Sequence, residues 1–406
     1  ASLAYATEPI TTLRELRRLS GPELNASPPV LVTGIVTLVR TEPTQLVLQD
    51  ASDAAAIELE DLRSISAVPS LGERVAVRGI AAPGPLSPRI RPGPDGLHIE
   101  RLGREELPRA LPLAPRDLIG GRFEHRRVEL EGVVRAVRAH GGTARAEIGT
   151  GIGRITLLVP PGSSPETLAA RLPEGARVRI RGVVCSIVNQ RSQWVGCVLH
   201  AADWADLELL APPPPWNELP MSRIAEISRW GTAGADSPPI RLRGRVLAVE
   251  PQYRLFLRDE TGSTVLYLGQ GTSDPAAPGD EIEALGYPIL ADKRWVLQDV
   301  VLRRIQPGPL PEPIDLEQTS SDPAWHDTDF VRLTGAVLDV IVRPPHLRVL
   351  LQTPCGLAEV DGARAPSEPL SRGALVEALG ILEVMTRMSS SGITETIGLR
   401  VLALHP

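Results

Sequence analysis

Four near-repeats of about a hundred residues predict an all-β chain of four tandem OB-fold-like five-stranded barrels joined by short helices. Two glycine-centred patterns carry that prediction. The first reads "VLVTGIV", "VELEGVV", "IRLRGRV" and "VRLTGAV", centred on Gly34, Gly132, Gly244 and Gly335. The second follows a polar turn each time, as "LGERVAVRG", "PEGARVRIRG", "PGDEIEALG" and "SRGALVEALG", ending on Gly79, Gly182, Gly286 and Gly380. A glycine at a fixed place in an alternating strand marks a bulge or sharp coil where a sheet curves. The third observation is composition: 40 Pro and 36 Gly in 406 residues favour short strands and turns over long helices. A small β-sandwich is the competing architecture.

The repeats divide the chain into barrels over 1–108, 109–215, 216–313 and 314–406. "TTLRELRRLS" opens the first as a helix, with Thr12 as N-cap and Leu13, Leu16 and Leu19 at helical spacing. "MSRIAEISRW" repeats the idea before the third barrel, and "LAPRDLIGG" and "DLEQTSSDPAWH" are weaker counterparts. Units one and three share a further line, "LVLQDASDAAAIEL" at 46–59 and "LFLRDETGSTVLYL" at 255–268, which fits L-x-L-x-D-x-[ST]. Units two and four lack it, so the order is ABAB. In unit three the alternation predicts strands near 240–249, 253–259, 264–269, 281–288 and 295–304. "LLAPPPPWNELP" and "PGPLPEP" read as stiff linkers.

Composition limits the function classes. Net charge is −6, aromatic content is 3%, and of 43 basic residues only Lys293 is lysine. This balance makes nucleic acid an unlikely partner, because gripping phosphates needs a basic face and stacking needs rings. No G-x-S-x-G, H-E-x-x-H or P-loop is written, so no catalytic residue is assigned and the chain is not expected to be an enzyme. No Cys/His cluster has zinc spacing; no metal and no cofactor is expected. Asp50, Asp53 and Asp259 sit where a carboxylate cluster could suit Ca²⁺, but Asp and Thr before Gly read first as turn formers.

Three sets of candidate residues follow. Alternation puts Leu255 and Leu257 inside the third barrel and Arg254, Phe256 and Arg258 outside, with Tyr267 on the same face. That face of an OB barrel is the usual ligand platform, and an aromatic between arginines can stack a ring and hold an anion. The alternative is a packing seam with a neighbouring barrel. Asn189, Arg191 and Trp194, near a hairpin tip, form a second candidate contact surface. Cys185 and Cys197 are equidistant from Arg191, so a symmetric hairpin sets them opposite one another, as a disulfide or as two buried thiols. Trp204, Trp216, Trp230, Trp295 and Trp325 lie near unit boundaries and are expected to pack between barrels.

"ITTLRELRRLS", "GIV", "LVLQDASD" and "LGERVAVRG", with "RVRIRGVVCSIVNQRSQWVGCVL" in unit two, resemble the extracytoplasmic tandem OB-like sensor regions of bacterial membrane-anchored histidine kinases and diguanylate cyclases. The resemblance implies a periplasmic input region of an inner-membrane protein, with a membrane helix and an output domain after residue 406. It would bind a small ligand or a periplasmic protein. The start "ASLAYATEP" fits either the remnant of a signal-peptidase site or an arbitrary fragment boundary. Two other classes compete: a tandem-OB single-stranded nucleic-acid-binding protein, and a structural envelope or surface assembly protein.

Overall fold

The computed structural model describes residues 8–41, 44–59, 68–140, 143–160, 162–231, 239–250, 254–269, 276–319, 321–343, 346–363, 370–388 and 394–403. Barrel 1 consists of β1 (Pro29–Thr41), β2 (Thr44–Gln49), β3 (Ala54–Glu58), β4 (Glu73–Ala82) and a broken last strand, β5 (Arg89–Arg91) with β6 (His98–Arg104). After β7 (Leu111–Pro112), barrel 2 has β8 (Arg127–His140), β9 (Thr143–Thr150), β10 (Gly153–Leu158), β11 (Arg177–Val188) and β12 (Trp194–His200), with β13 (Leu207–Ala211) added on β11. Barrel 3 is β14 (Ile240–Glu250), β15 (Arg254–Asp259), β16 (Gly262–Leu268), β17 (Glu281–Ala291) and β18 (Arg294–Gln306). After β19 (Ile314–Asp315), barrel 4 is β20 (Phe330–Arg343), β21 (His346–Thr353), β22 (Gly356–Ala363), β23 (Leu375–Met388) and β24 (Thr394–Ala403). In each barrel the sheet closes by pairing the first strand with the fourth, and the third strand runs parallel to the fifth. This is the five-stranded OB barrel.

The two glycine patterns mark the closure points. Each first strand is shared, pairing with the second strand through one half and the fourth through the other. Where it coils between them, its Cα faces the second strand's backbone: a Cβ on Gly34 would lie 2.8 Å from the Gln49 carbonyl oxygen, and one on Gly335 2.8 Å from that of Gln352. The later glycines meet the fifth strand in the same way, as Gly79 does the Arg91 carbonyl at 2.7 Å. Three residues after each first glycine the register slips, so Thr37, Arg135, Leu247 and Leu338 are bulge residues. A bulge re-aims a side chain.

The shared L-x-L-x-D-x-[ST] line is a clamp. Asp259 Oδ1 accepts from the N–H groups of Thr261 (2.7 Å) and Gly262 (3.2 Å), which fixes the turn, while Oδ2 accepts from Ile224 N–H at 2.8 Å. Asp50 does the same with Ser52, Asp53 and, through Oδ2, Leu13 N–H at 2.9 Å. One carboxylate thereby closes a hairpin and satisfies an orphan donor where a helical segment begins. In barrel 1 that segment is α1 (Leu13–Arg18), where Thr12 and Glu15 also form a capping box. It is followed by α2 (Gly21–Asn25). In barrel 3 the segment is the 3₁₀ turn Ile224–Glu226 running into a fourth helix (Ile227–Gly231). Barrels 2 and 4 have Thr150 and Thr353 at this corner, whose hydroxyls bond the carbonyls of Gly153 (3.0 Å) and Gly356 (2.8 Å). A third helix, Pro165–Arg171 with Ser164 as N-cap, packs on barrel 2.

The chain divides into two compact units at Pro214/Pro215, each holding one AB pair. Within the first pair, Val47 on the outer face of β2 is fully buried against Val183 and Cys185 of β11. Within the second, Phe256, Leu247, Ala248, Val265 and Val296 of barrel 3 bury against Phe330 and Ile381 of barrel 4. Val183 and Ile381 each follow the second-pattern glycine of their barrel, so the two seams are the same seam. In both pairs the A barrel spends its β2-type face on its B partner.

Candidate nucleic-acid interface

That seam corrects the first candidate site. Phe256 is 0% exposed, beneath barrel 4. Arg254 pairs with Glu250 (2.6 Å) and Glu383 (3.1 Å) and lies over the Phe256 ring, while Arg258 pairs with Asp329 at 3.2 Å. Tyr267 packs at the edge of the same cluster. The four residues do come together on one outer face, but that face holds a barrel rather than a ligand.

The cysteines are free, and the disulfide expectation is also corrected. Val188 pairs with Trp194, which agrees with a hairpin centred on Arg191, but a bulge then slips the register. Cys185 sits opposite Val198, and Cys197 opposite Ser186. One residue of slip turns the thiols to opposite faces, Cys197 into the core of barrel 2 and Cys185 into the seam. Burial pushes both thiols up to about 12. The hairpin tip is a self-bonded turn: Asn189 Oδ1 accepts from the N–H groups of Arg191 (2.9 Å) and Gln193 (3.1 Å). Arg191 is exposed there, while Trp194 packs partly on the core. The tryptophans serve single barrels. Trp204 packs on the core of barrel 2, Trp230 and Trp295 on that of barrel 3, and Trp216 donates to Glu283 under Arg303. Trp325 is 83% exposed.

With the A platforms packed at the seams, the matching faces of the B barrels are those of their own first three strands. In barrel 2 the pairing of β8, β9 and β10 sets Arg138, Arg145 and Leu158 in one row, continued by His200 on β12. The next row holds Ala136, Glu147 and Thr156. A third joins Gly149 to Arg154, and the bulge residue Arg135 lays its guanidinium over Gly149, where any Cβ would collide with it. Four arginines therefore share this face with one carboxylate, Glu147, which lies 3.7 Å from Arg145 and accepts from the Thr156 hydroxyl. Arg154 is exposed, Arg138 and Arg145 are half-buried, and Arg135 is buried. Arg40 of barrel 1 adds its field at the His200 end, where burial first and then Arg40 lower the histidine to about 4.

Barrel 4 shows that this charge is not imposed by the fold. On its matching face Arg348 lies between Glu359 (3.2 Å) and Asp361 (3.1 Å), and Arg400 bonds Glu359 at 3.5 Å. Leu338 stands where Arg135 stands in barrel 2, and Leu357 is half exposed. One platform is arginine-rich and the other is charge-balanced and apolar. Sequence reasoning passed over the first because its arginines are scattered through "RAVRAHGGTARAEIGTGIGR" and converge only when three strands pair.

No family model matches the chain, and no curated protein matches it. Among solved structures it is similar to the HIN2 domain of tetrameric p202, at 11% identity and TM-score 0.21 over 44% of this chain and 92% of that one. It is similar to a murine DNA-binding protein bound to double-stranded DNA, at 12% identity and TM-score 0.22, covering 44% of this chain and 98% of that one. It is also similar to fission yeast Pot1 with single-stranded DNA, at 10% identity and TM-score 0.25, covering 50% and 87%. At these identities the likeness concerns the barrel fold. Among the described residues no helix is long and apolar enough to cross a membrane. Nothing in these comparisons indicates a kinase or cyclase sensor region, and that expectation is withdrawn; the exclusion of nucleic acid is withdrawn with it, two of the similar structures being themselves described with DNA.

Proposed function

We propose that the chain is a non-enzymatic tandem OB-barrel protein that binds single-stranded nucleic acid across the β8–β9–β10 face of barrel 2. The observation that carries this reading is the placement of Arg135, Arg138, Arg145 and Arg154 on one outer face of β8–β9–β10 with a single carboxylate, Glu147. OB barrels hold single strands on this face through a positively charged groove and stacked rings. The face has guanidinium groups and, among the described side chains, no Phe, Tyr or Trp, so grip on the phosphate backbone dominates, with little base preference. Leu158 and the flat guanidinium groups supply what base contact there is. Net charge of −6 is no obstacle, since the Debye length is about 8 Å at physiological salt and a local face acts on its own.

Fluorescence anisotropy with a labelled oligothymidylate, titrated across salt, tests it. The expected affinity falls with salt, at a log–log slope of roughly −0.7 per phosphate neutralised. Arg138→Ala with Arg145→Ala weakens binding about tenfold or more and flattens the slope by roughly one. No binding at low salt, or binding indifferent to both substitutions, defeats the reading.

A further inference from the structure

A second group of arginines lies away from that platform, in a hollow of about 280 Å³ in the first pair. It lies between α1 and the segment that leads into β8. Arg14, Arg17 and Arg18 line it from α1, Arg122 and Arg126 from the leading segment, and Asp53 from the β2–β3 turn. Arg17 is committed to structure. Its guanidinium donates to the carbonyls of Gly121 (2.9 Å), Glu124 (3.0 Å) and Arg122 and lies 3.7 Å from Asp53. The other four have no such commitment. Arg14 reaches only the Ser52 carbonyl at 3.4 Å, and Arg122 lies over Phe123. Among the described residues Arg18, Arg122 and Arg126 have no carboxylate partner, and Arg126 Nε is buried without a hydrogen bond. The other nearby acids are occupied elsewhere: Glu15 accepts from Thr11 and Thr12, and Glu124 from Ser186 N–H.

The duplicated pair is an internal control. Leu13 and Ile224 donate to equivalent aspartates, so Arg14 corresponds to Ala225 and Arg17 to Ser228. His125 and Thr328 share a left-handed backbone (φ 67° and 71°) and donate to Val184 and Leu382 carbonyls at 2.8 and 2.7 Å. Arg126 therefore corresponds to Asp329 and Arg122 to Trp325. The second pair makes the same corner with four of the five arginines replaced; only Arg18 has an arginine counterpart, Arg229, which pairs with Glu226 at 3.0 Å, and Asp329 there pairs with Arg258. The corner does not need the cluster. Elsewhere on the first pair, the hollow beside Pro112 is lined by Arg127, paired with Asp206, Arg181, paired with Glu129 and Glu208, and the exposed Arg109.

We infer that the α1 hollow is a binding site for a phosphate-class anion, held by Arg14, Arg18, Arg122 and Arg126. Guanidinium forks match phosphate oxygens in pairs, and several converging on one small space leave an excess of positive charge that a dianion or pyrophosphate neutralises. The site is independent of the platform reading, and its source is either a free phosphate compound or a backbone phosphate of a bound strand.

Pyrophosphate titrated into the full chain by calorimetry at low salt tests it. Saturable binding is expected, with a rise in melting temperature. The double variant Arg14→Ala, Arg126→Asp copies what the second pair tolerates, so it keeps the wild-type circular dichroism spectrum while pyrophosphate affinity falls about tenfold or more. Arg138→Ala with Arg145→Ala leaves pyrophosphate binding intact, which separates this site from the platform. If an oligonucleotide displaces pyrophosphate the source is a strand; if both bind together it is a free phosphate compound. Absence of saturable pyrophosphate binding to the wild-type chain, or equal binding by the folded double variant, overturns the assignment.

Discussion

Asp50 and Asp259 each do two jobs with one carboxylate. The N–H groups of Thr261 and Gly262 hold one oxygen of Asp259, and Ile224 N–H holds the other. For Asp50, burial opposes ionisation, but bonds from Leu13, Ser52 and Asp53 outweigh it and lower the carboxyl below its usual range. Removing such a group leaves buried donors bare. Asp259→Ala is expected to destabilise the second pair by about 2–3 kcal/mol, read by urea unfolding, while Asp259→Asn, which keeps one accepting oxygen, costs less. The sequence displayed this motif and its turn, but the bond to the preceding helical segment spans 35 residues and no local pattern announces it. The cysteines teach the complementary point. The hairpin is centred on Arg191 as symmetry implies, yet a bulge at Val195, 57% exposed, slips every pair beyond it. Native labelling with a thiol reagent is expected to modify Cys355, which is exposed, and to spare Cys185 and Cys197 until the chain unfolds. Rapid native labelling of all three would contradict the burial, and a missing pair after denaturation would reveal a disulfide.

At the scale of elements, period-two alternation located the strands of barrel 3 to within a few residues and assigned Leu255 and Leu257 to its interior, where both are fully buried. What alternation cannot say is what covers an outer face. "RLFLR" and "QLVLQ" have the same pattern, and both faces are covered, one around Phe256 and one around Val47. The covering strands lie in the following barrel, more than 120 residues from Phe256 in the case of Ile381, so the seam is a long-range fact. The arginines flanking Phe256 are its polar rim. Phe256→Ala is expected to cost about 3–5 kcal/mol, the range for emptying a buried aromatic site. Calorimetry should show that loss in the second pair alone, with oligonucleotide binding at barrel 2 unchanged. A loss of oligonucleotide affinity in a folded Phe256→Ala chain would return the platform role to barrel 3. The third helix, Pro165–Arg171, and the bulge arginine Arg135 were illegible for a related reason: the one is only seven residues long and follows "PPGSS", and the other is an ordinary strand residue until the register slips beneath it.

For the whole molecule, duplication without identity is the useful fact. The two AB pairs share topology, seam and clamp, and differ in where positive charge collects. The first pair concentrates arginine at the barrel 2 platform and the α1 hollow, and that field reaches two of its histidines, the buried His125 and the half-buried His200. Burial first, then Arg17 and Arg40, lower His125 to about 3, and burial with Arg40 lowers His200 to about 4. Both are neutral in the folded chain at pH 5 while the unfolded chain, near its ordinary value of about 6.5, takes up the protons. The unfolded state thus binds more protons below about pH 6.5, and stability is present above that pH and lost as pH falls toward 4, at up to roughly 1.4 kcal/mol per pH unit for each histidine. Glu124, raised by desolvation against its bonds from Ser186, has the opposite sign: its folded form takes up a proton before the unfolded one does, offsetting part of the loss in the lower half of the window. Thermal melts of the first pair within the full chain should therefore shift downward steadily between pH 6.5 and 5 and less steeply below. His125→Gln with His200→Gln should flatten the upper part of that profile. A wild-type profile already flat from pH 7 to 5 would show that the two imidazoles are solvated, and that the seam around His125 opens more readily than the backbone hydrogen bond it donates to Val184 implies.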